Sequence, residues 1–152
     1  MNIELSLNTL LFVALCILGI AICVSDIRHR RIPNKLVLLV ALSTLPLAFN
    51  NDFIWDSLPY AALVFVIGFV ATVIGIWGGG DTKLLTAFAI GIHPDYLLLS
   101  VMSMFLLGGI QVIIMALYYR SLKTFREKGI AYGIPIVISS TAMCFISVIS
   151  GF

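Results

Sequence analysis

Asp26 closes a long uncharged stretch in Cys23-Val24-Ser25-Asp26-Ile27-Arg28-His29-Arg30-Arg31-Ile32-Pro33-Asn34, and Asp81 ends the glycine run of Gly78-Gly79-Gly80-Asp81-Thr82-Lys83. Two carboxyl groups brought close together cannot both ionise easily, so one proton is shared between them. One of them can then deprotonate a water molecule while its protonated partner polarises a carbonyl, a division of labour suited to amide hydrolysis. The glycines favour such a site. Without a Cβ they let the backbone approach a neighbouring helix or a bound peptide, and they can take φ > 0 where a new helix starts. Asp81 is placed to be the N-cap of that helix, where the dipole favours an ionised carboxylate. Asp26 lies near a helix C-terminus, where the dipole has the opposite sign, and is expected to hold the proton.

Taken singly, each feature also has a structural explanation. Asp26 can be an interfacial acid paired with an arginine, Asp81 a helix cap, and the glycines a packing contact or hinge. Pro33-Asn34 is ordinary helix-start chemistry, and Lys83 can snorkel to an interface. His29 in a basic loop and His93 before Pro94 read as solvated side chains. No HExxH, GxSxG or Ser/Lys pattern supports a metal or serine mechanism.

The elements that must hold these residues are strongly apolar. Of 152 residues, 61% are hydrophobic and 11% charged, and the mean hydropathy is +1.15. Soluble domains carry about 25% charged residues, so too little polar surface is available to wrap a soluble enzyme. Nucleic-acid binding is excluded on similar grounds: the net charge is only +2, and the basic residues form short clusters between apolar runs. Cys16, Cys23 and Cys144 all lie in apolar runs without a CxxC pair, which argues against structural zinc and a disulfide framework.

Uncharged segments cover 7–24, 36–49, 58–77, 84–92, 96–119 and 130–152. Four approach the roughly 20 residues of a spanning helix. The second lengthens to 34–51 if Lys35 snorkels, and the fourth can begin at Asp81 but stays short. A cleavable signal peptide is not expected, because the first segment lacks a basic n-region and a small-residue cleavage site.

If all six cross, all nine lysines and arginines fall on one side, and Glu4, Asp52, Asp56 and Asp95 fall on the other. Retention of positive charge in the cytoplasm then orients the chain. The expectation is an all-α integral membrane protein of six transmembrane helices, the fourth short, with both termini on the outer side. Residues 1–152 would form one transmembrane domain. A four-span arrangement that omits both short segments misplaces only Lys83, and it would put Asp26 and Asp81 on opposite faces. Aromatic side chains near segment ends, among them Trp55, Trp77 and Tyr96, suit an interfacial belt.

Asp26 ahead of a basic stretch and Ile32-Pro33-Asn34, combined with Gly78-Gly79-Gly80-Asp81-Thr82-Lys83, resembles the type IV prepilin peptidases, membrane aspartic proteases of the GxGD class. Tyr132-Gly133 resembles the family's aromatic-glycine-proline motif, with Ala131 in place of the expected proline and Pro135 displaced by one position. Because of that departure, Tyr132 and Gly133 are given only a helix-start role. The resemblance implies Asp26 and Asp81 as the catalytic pair, with Gly78, Gly80 and Lys83 shaping the site. The implied substrate is a type IV pilin or pilin-like precursor, cut between its short basic leader and its apolar stem at the cytoplasmic face of the inner membrane. No cofactor or metal is implied.

Larger members of that family carry a cytoplasmic region with paired CxxC motifs and also methylate the new N-terminus. This chain has no such region and resembles the short branch associated with Flp or tight-adherence pili, so methyltransferase activity is not expected. Presenilin-type and signal-peptide peptidases share GxGD, but their Pro-Ala-Leu motif is missing here. The alternative from another class is a small transporter or proton-conducting protein using Asp26 and Asp81.

Overall fold

The uncharged segments are α-helical in the computed structural model, which describes residues 2–119 and 132–150. In chain order the helices are α1 (Asn2–His29), α2 (Asn34–Asn50), α3 (Ile54–Val73), α4 (Gly79–Ala89), α5 (Pro94–Tyr119) and α6 (Gly133–Ile149). Arg120, Lys123, Arg126 and Lys128, four of the nine basic residues on which the expected orientation rests, lie outside the described residues, as does Ala131. Among the described residues, three helices contain stretches long and apolar enough to cross a membrane: Leu7–His29, Ile54–Val73 and Pro94–Tyr118. Helices α2 and α6 are apolar but shorter, at 17 residues each. At 11 residues, α4 reaches only about 16 Å.

Local chemistry explains where the helices begin and end. Pro33, extended at φ −63° and ψ 132°, precedes α2, and Pro94 opens α5, where a missing N–H costs nothing. Helix α1 continues past its apolar stretch, so Asp26 is helical, and it stops at Arg30, which adopts a left-handed φ of 52°. Helix α3 starts four residues before the expected 58, because Phe53, Ile54 and Ser57 are buried and the Phe53 carbonyl accepts the Ser57 N–H at 3.0 Å. It also ends earlier, and Trp77 follows a turn through Gly75 at φ 76° instead of ending the helix.

The shortest helix occupies the centre. Helix α4 packs on α2, α3 and α6, and α1 bridges α2 and α6 while α5 lies mainly against α6. Leu84, Leu85, Phe88 and Ala89 of α4 are buried. The outer surface is more apolar than a water-soluble protein tolerates. On α1, Leu10, Val13, Ile17, Ile20, Val24 and Ile27 form an exposed stripe at alternating three- and four-residue spacing, while buried positions elsewhere include Ser43, Thr44, Ser57, Thr82, Ser100 and Ser140. Hydrocarbon around the bundle would remove any penalty on the stripe, and small hydroxyl side chains let helices approach and hydrogen-bond.

These hydroxyls complete the buried C-terminal end of α4, whose last carbonyls have no partner within the helix. Thr44 Oγ1 donates to the Ala87 carbonyl at 2.8 Å, and Ser57 Oγ donates to the Ile90 carbonyl at 2.9 Å. Thr44→Val keeps the shape but removes the donor. It is expected to lower stability by about 1 kcal/mol, measurable as a reduced midpoint of unfolding in detergent micelles.

Charges are segregated between the two ends of the bundle. The C-terminal end of α1 and the starts of α2 and α4 carry Arg28, Arg30, Arg31, Lys35 and Lys83. The opposite end carries Asp52, Asp56 and Asp95, and there Asn8 Nδ2 donates to Asn51 Oδ1 at 3.2 Å.

Candidate active site

At the basic end, a cleft of about 540 Å³ opens between the end of α1, the start of α4 and the start of α6. Asp26 and Asp81, 55 residues apart in the chain, both line it, along with Arg30, Arg31, Ile32, Ile76, Trp77, the glycine triplet and Tyr132. A four-span arrangement separates the two aspartates. The structure brings them together.

Asp26 is buried, with 6% of its surface exposed. Its Oδ2 accepts the Gly133 N–H at 2.8 Å, a backbone donor from the first turn of α6. The approach depends on glycine: a Cβ at position 133 would sit 2.7 Å from Oδ2 and 3.2 Å from Cγ. The basic turn folds back along α1 through Ser25 Oγ, which donates to the Arg31 carbonyl at 2.9 Å.

Asp81 stands in the first turn of α4, but it is not the N-cap. That position belongs to Gly78, in extended conformation, and Asp81 lies three residues further on. Its carboxylate reaches back to accept the Gly78 N–H, the acidic half of a capping box. A Cβ at Gly78 would lie 2.8 Å from Asp81 Oδ2, so the bare backbone is needed there. At Gly80 a Cβ would lie 3.4 Å from Ile32 Cβ, which shows how closely the Ile32-Pro33-Asn34 turn abuts the glycine run. Thr82 anchors this start to α3, donating to the Gly68 carbonyl at 3.0 Å and pairing with Thr72 Oγ1 at 2.9 Å.

Asp81 precedes the uncharged run that begins at Leu84, and it opens to the cleft at the basic end. Burial is the largest influence on it, followed by the negative charge of Asp26. Against the smaller opposing effect of the Gly78 N–H, they push its pKa up to about 7. Asp81 therefore keeps a proton close to neutral pH. The helix dipole alone favours the proton on Asp26, and desolvation of Asp81 acts in the other direction.

Three residues depart from the expected arrangement. Lys83 does not line the cleft. It is exposed on another side of α4, and its Nζ donates to Asn34 Oδ1 at 3.3 Å. Tyr132 and Gly133, expected only to start a helix, border the cleft and Asp26 respectively. Tyr132 is seated against α5, where a Cβ at Gly108 would lie 2.9 Å from its ring. The described residues contain no group of three or more His, Cys, Asp or Glu side chains able to hold a metal ion.

A helical bundle with an apolar exterior and paired carboxyl groups in a cleft at one end belongs with membrane proteins that keep acid–base groups near an interface. A family model described as the type IV leader peptidase family matches residues 13–116, and the chain belongs to that family. The match includes both aspartates and the glycine run but stops before α6, which supplies Gly133. Neither a search of curated proteins nor one of solved structures returns a match.

Proposed function

We propose that the protein is an aspartic endopeptidase that removes the short basic leader from type IV pilin or pilin-like precursors, with Asp26 and Asp81 as the catalytic pair. The observation that carries this reading is that both carboxyl groups line one cleft in a chain of the leader peptidase family. Protonated Asp81 polarises the scissile carbonyl, and Asp26, held by Gly133, takes a proton from the attacking water. Collapse of the tetrahedral intermediate breaks the C–N bond. The proton taken up by Asp26 passes to the departing amine, and Asp81 recovers its own. Gly78 and Gly80 leave room for the substrate backbone, and Lys83 acts from outside the cleft through Asn34.

The cleft faces the cytoplasm of the inner membrane in this reading. The basic residues at its end and the acidic ones opposite support that orientation, and the shared cleft supports six crossings by one domain spanning residues 1–152. N-methyltransferase activity is not part of the proposal. A proton or cation conductor would need a polar path to the opposite end, and the interior there is filled by fully buried Leu15, Leu47, Phe88 and Ile92.

The pH dependence has a definite sign. A carboxyl with its pKa raised to about 7 is protonated below that pH and ionised above it. With Asp81 as the proton donor, kcat/KM for a pilin precursor is expected to fall as pH rises through about 7. A rate that stays level or rises there contradicts the role given to Asp81. In proteoliposomes, cleavage without cation flux is expected; Asp81-dependent proton flux without cleavage would establish the conductor instead.

A further inference from the structure

A second cavity, of about 480 Å³, lies on the outside of the bundle between α2 and α3, with α4 as its floor. Its walls are apolar: Leu38 and Phe65 are 60% and 44% exposed, and Val37 and Ile90 complete the surface. At the mouth stand Asn34 and Lys83, joined by the 3.3 Å hydrogen bond, with exposed Lys35 on the same first turn of α2. No acidic side chain lines the groove, and Lys83 makes no ion pair among the described residues.

We propose that this groove binds an anionic phospholipid, one acyl chain lying along Val37, Leu38 and Phe65 and the phosphate resting against Lys83 and Asn34. Charge complementarity selects this occupant. Lys83 and Asn34 sit at one end of an apolar slot, and α2, which has no acidic residue in its first turn, begins there, so its positive dipole end adds to the field. Lys83 lies near the start of the short helix α4, and its stem carries the ammonium to headgroup level. A substrate stem is a poorer fit, because the groove shares no lining residue with the aspartate cleft. A phosphate bridging the starts of α2 and α4 would brace the Ile32-Pro33-Asn34 turn against the glycine run. The lipid site does not depend on the peptidase reading.

Native mass spectrometry of the full-length protein, stripped of lipid in detergent and titrated with phosphatidylglycerol or phosphatidylcholine of matched acyl chains, tests this directly. Retention of phosphatidylglycerol is expected to exceed that of phosphatidylcholine by roughly fivefold, the contribution of one lysine. Lys83→Gln should lower that preference about fivefold, and Lys83→Arg should keep it. Ala41→Phe, which fills the groove, should reduce retention of both lipids. Equal retention by the unmodified protein overturns the proposal, as does an unchanged preference in Lys83→Gln. Glycerol phosphate competing as well as the intact lipid would reduce the site to a surface anion contact and overturn the groove. Dimers replacing lipid adducts would assign this face to a second copy and overturn the lipid site.

Discussion

Asp26→Asn and Asp81→Asn are each expected to slow cleavage of a pilin precursor by roughly 10²–10⁴-fold while leaving abundance and membrane insertion unchanged. The substitutions preserve side-chain shape. The amide oxygen left at position 26 can still accept the Gly133 N–H, and the one left at position 81 can still accept the Gly78 N–H, so the contacts that hold α1, α4 and α6 survive. What disappears is the capacity to exchange a proton. Because the two groups act as a unit, the double variant should be little worse than either single one. Rate constants for all three, measured on purified protein at equal amounts, check the point; normal turnover by either single variant removes the dyad.

The second large effect is expected at a residue with no functional side chain. In Gly133→Ala the new methyl group would meet Asp26 Oδ2 at 2.7 Å, Cγ at 3.2 Å and Cβ at 3.3 Å. Either the carboxylate swings away or the start of α6 withdraws, and in both cases the 2.8 Å hydrogen bond is lost or lengthened. A displacement near 1 Å in an acid–base pair costs about 10²-fold in rate. Gly109→Ala is the control: no heavy atom lies within 4 Å of its added Cβ, so activity should hold and the helix should gain a little stability. Comparing kcat/KM and melting midpoint for the two variants separates mispositioning of Asp26 from general damage. Equal kcat/KM in both would show that Gly133 does not position it.

The helices and the two aspartates were legible in the sequence because the membrane environment makes their signals large. Long uncharged runs have few alternatives to helices, and an acid beside an apolar stretch is costly enough to stand out. Of the glycine run, Gly78 is the close approach, where a Cβ would lie 2.8 Å from Asp81 Oδ2, while at Gly80 a Cβ would make ordinary contact with Ile32 at 3.4 Å. The contact of Gly133 with Asp26 was hidden, since the bond spans 107 residues and the Tyr132-Gly133 element by itself reads only as a helix start. Lys83 was misplaced for a simpler reason. Two residues along a helix turn it by about 200°, so a side chain at i+2 from Asp81 faces away from the cleft; helical periodicity contained that information. The capping role was offset by three positions because an acid can serve a helix start either as N-cap or from N3. The helix dipole is an influence on the shared proton that the sequence makes visible; the burial that raises the Asp81 pKa depends on the packed bundle.

The most direct measurement is the intact mass of a pilin precursor after incubation with the protein in liposomes, set beside the same incubation with Asp81→Asn. One product is expected from the unmodified protein, cut between basic leader and apolar stem with no added methyl group, and an untouched precursor from the variant. An intact precursor in both incubations, or the same product in both, would contradict an aspartic leader peptidase built on Asp81.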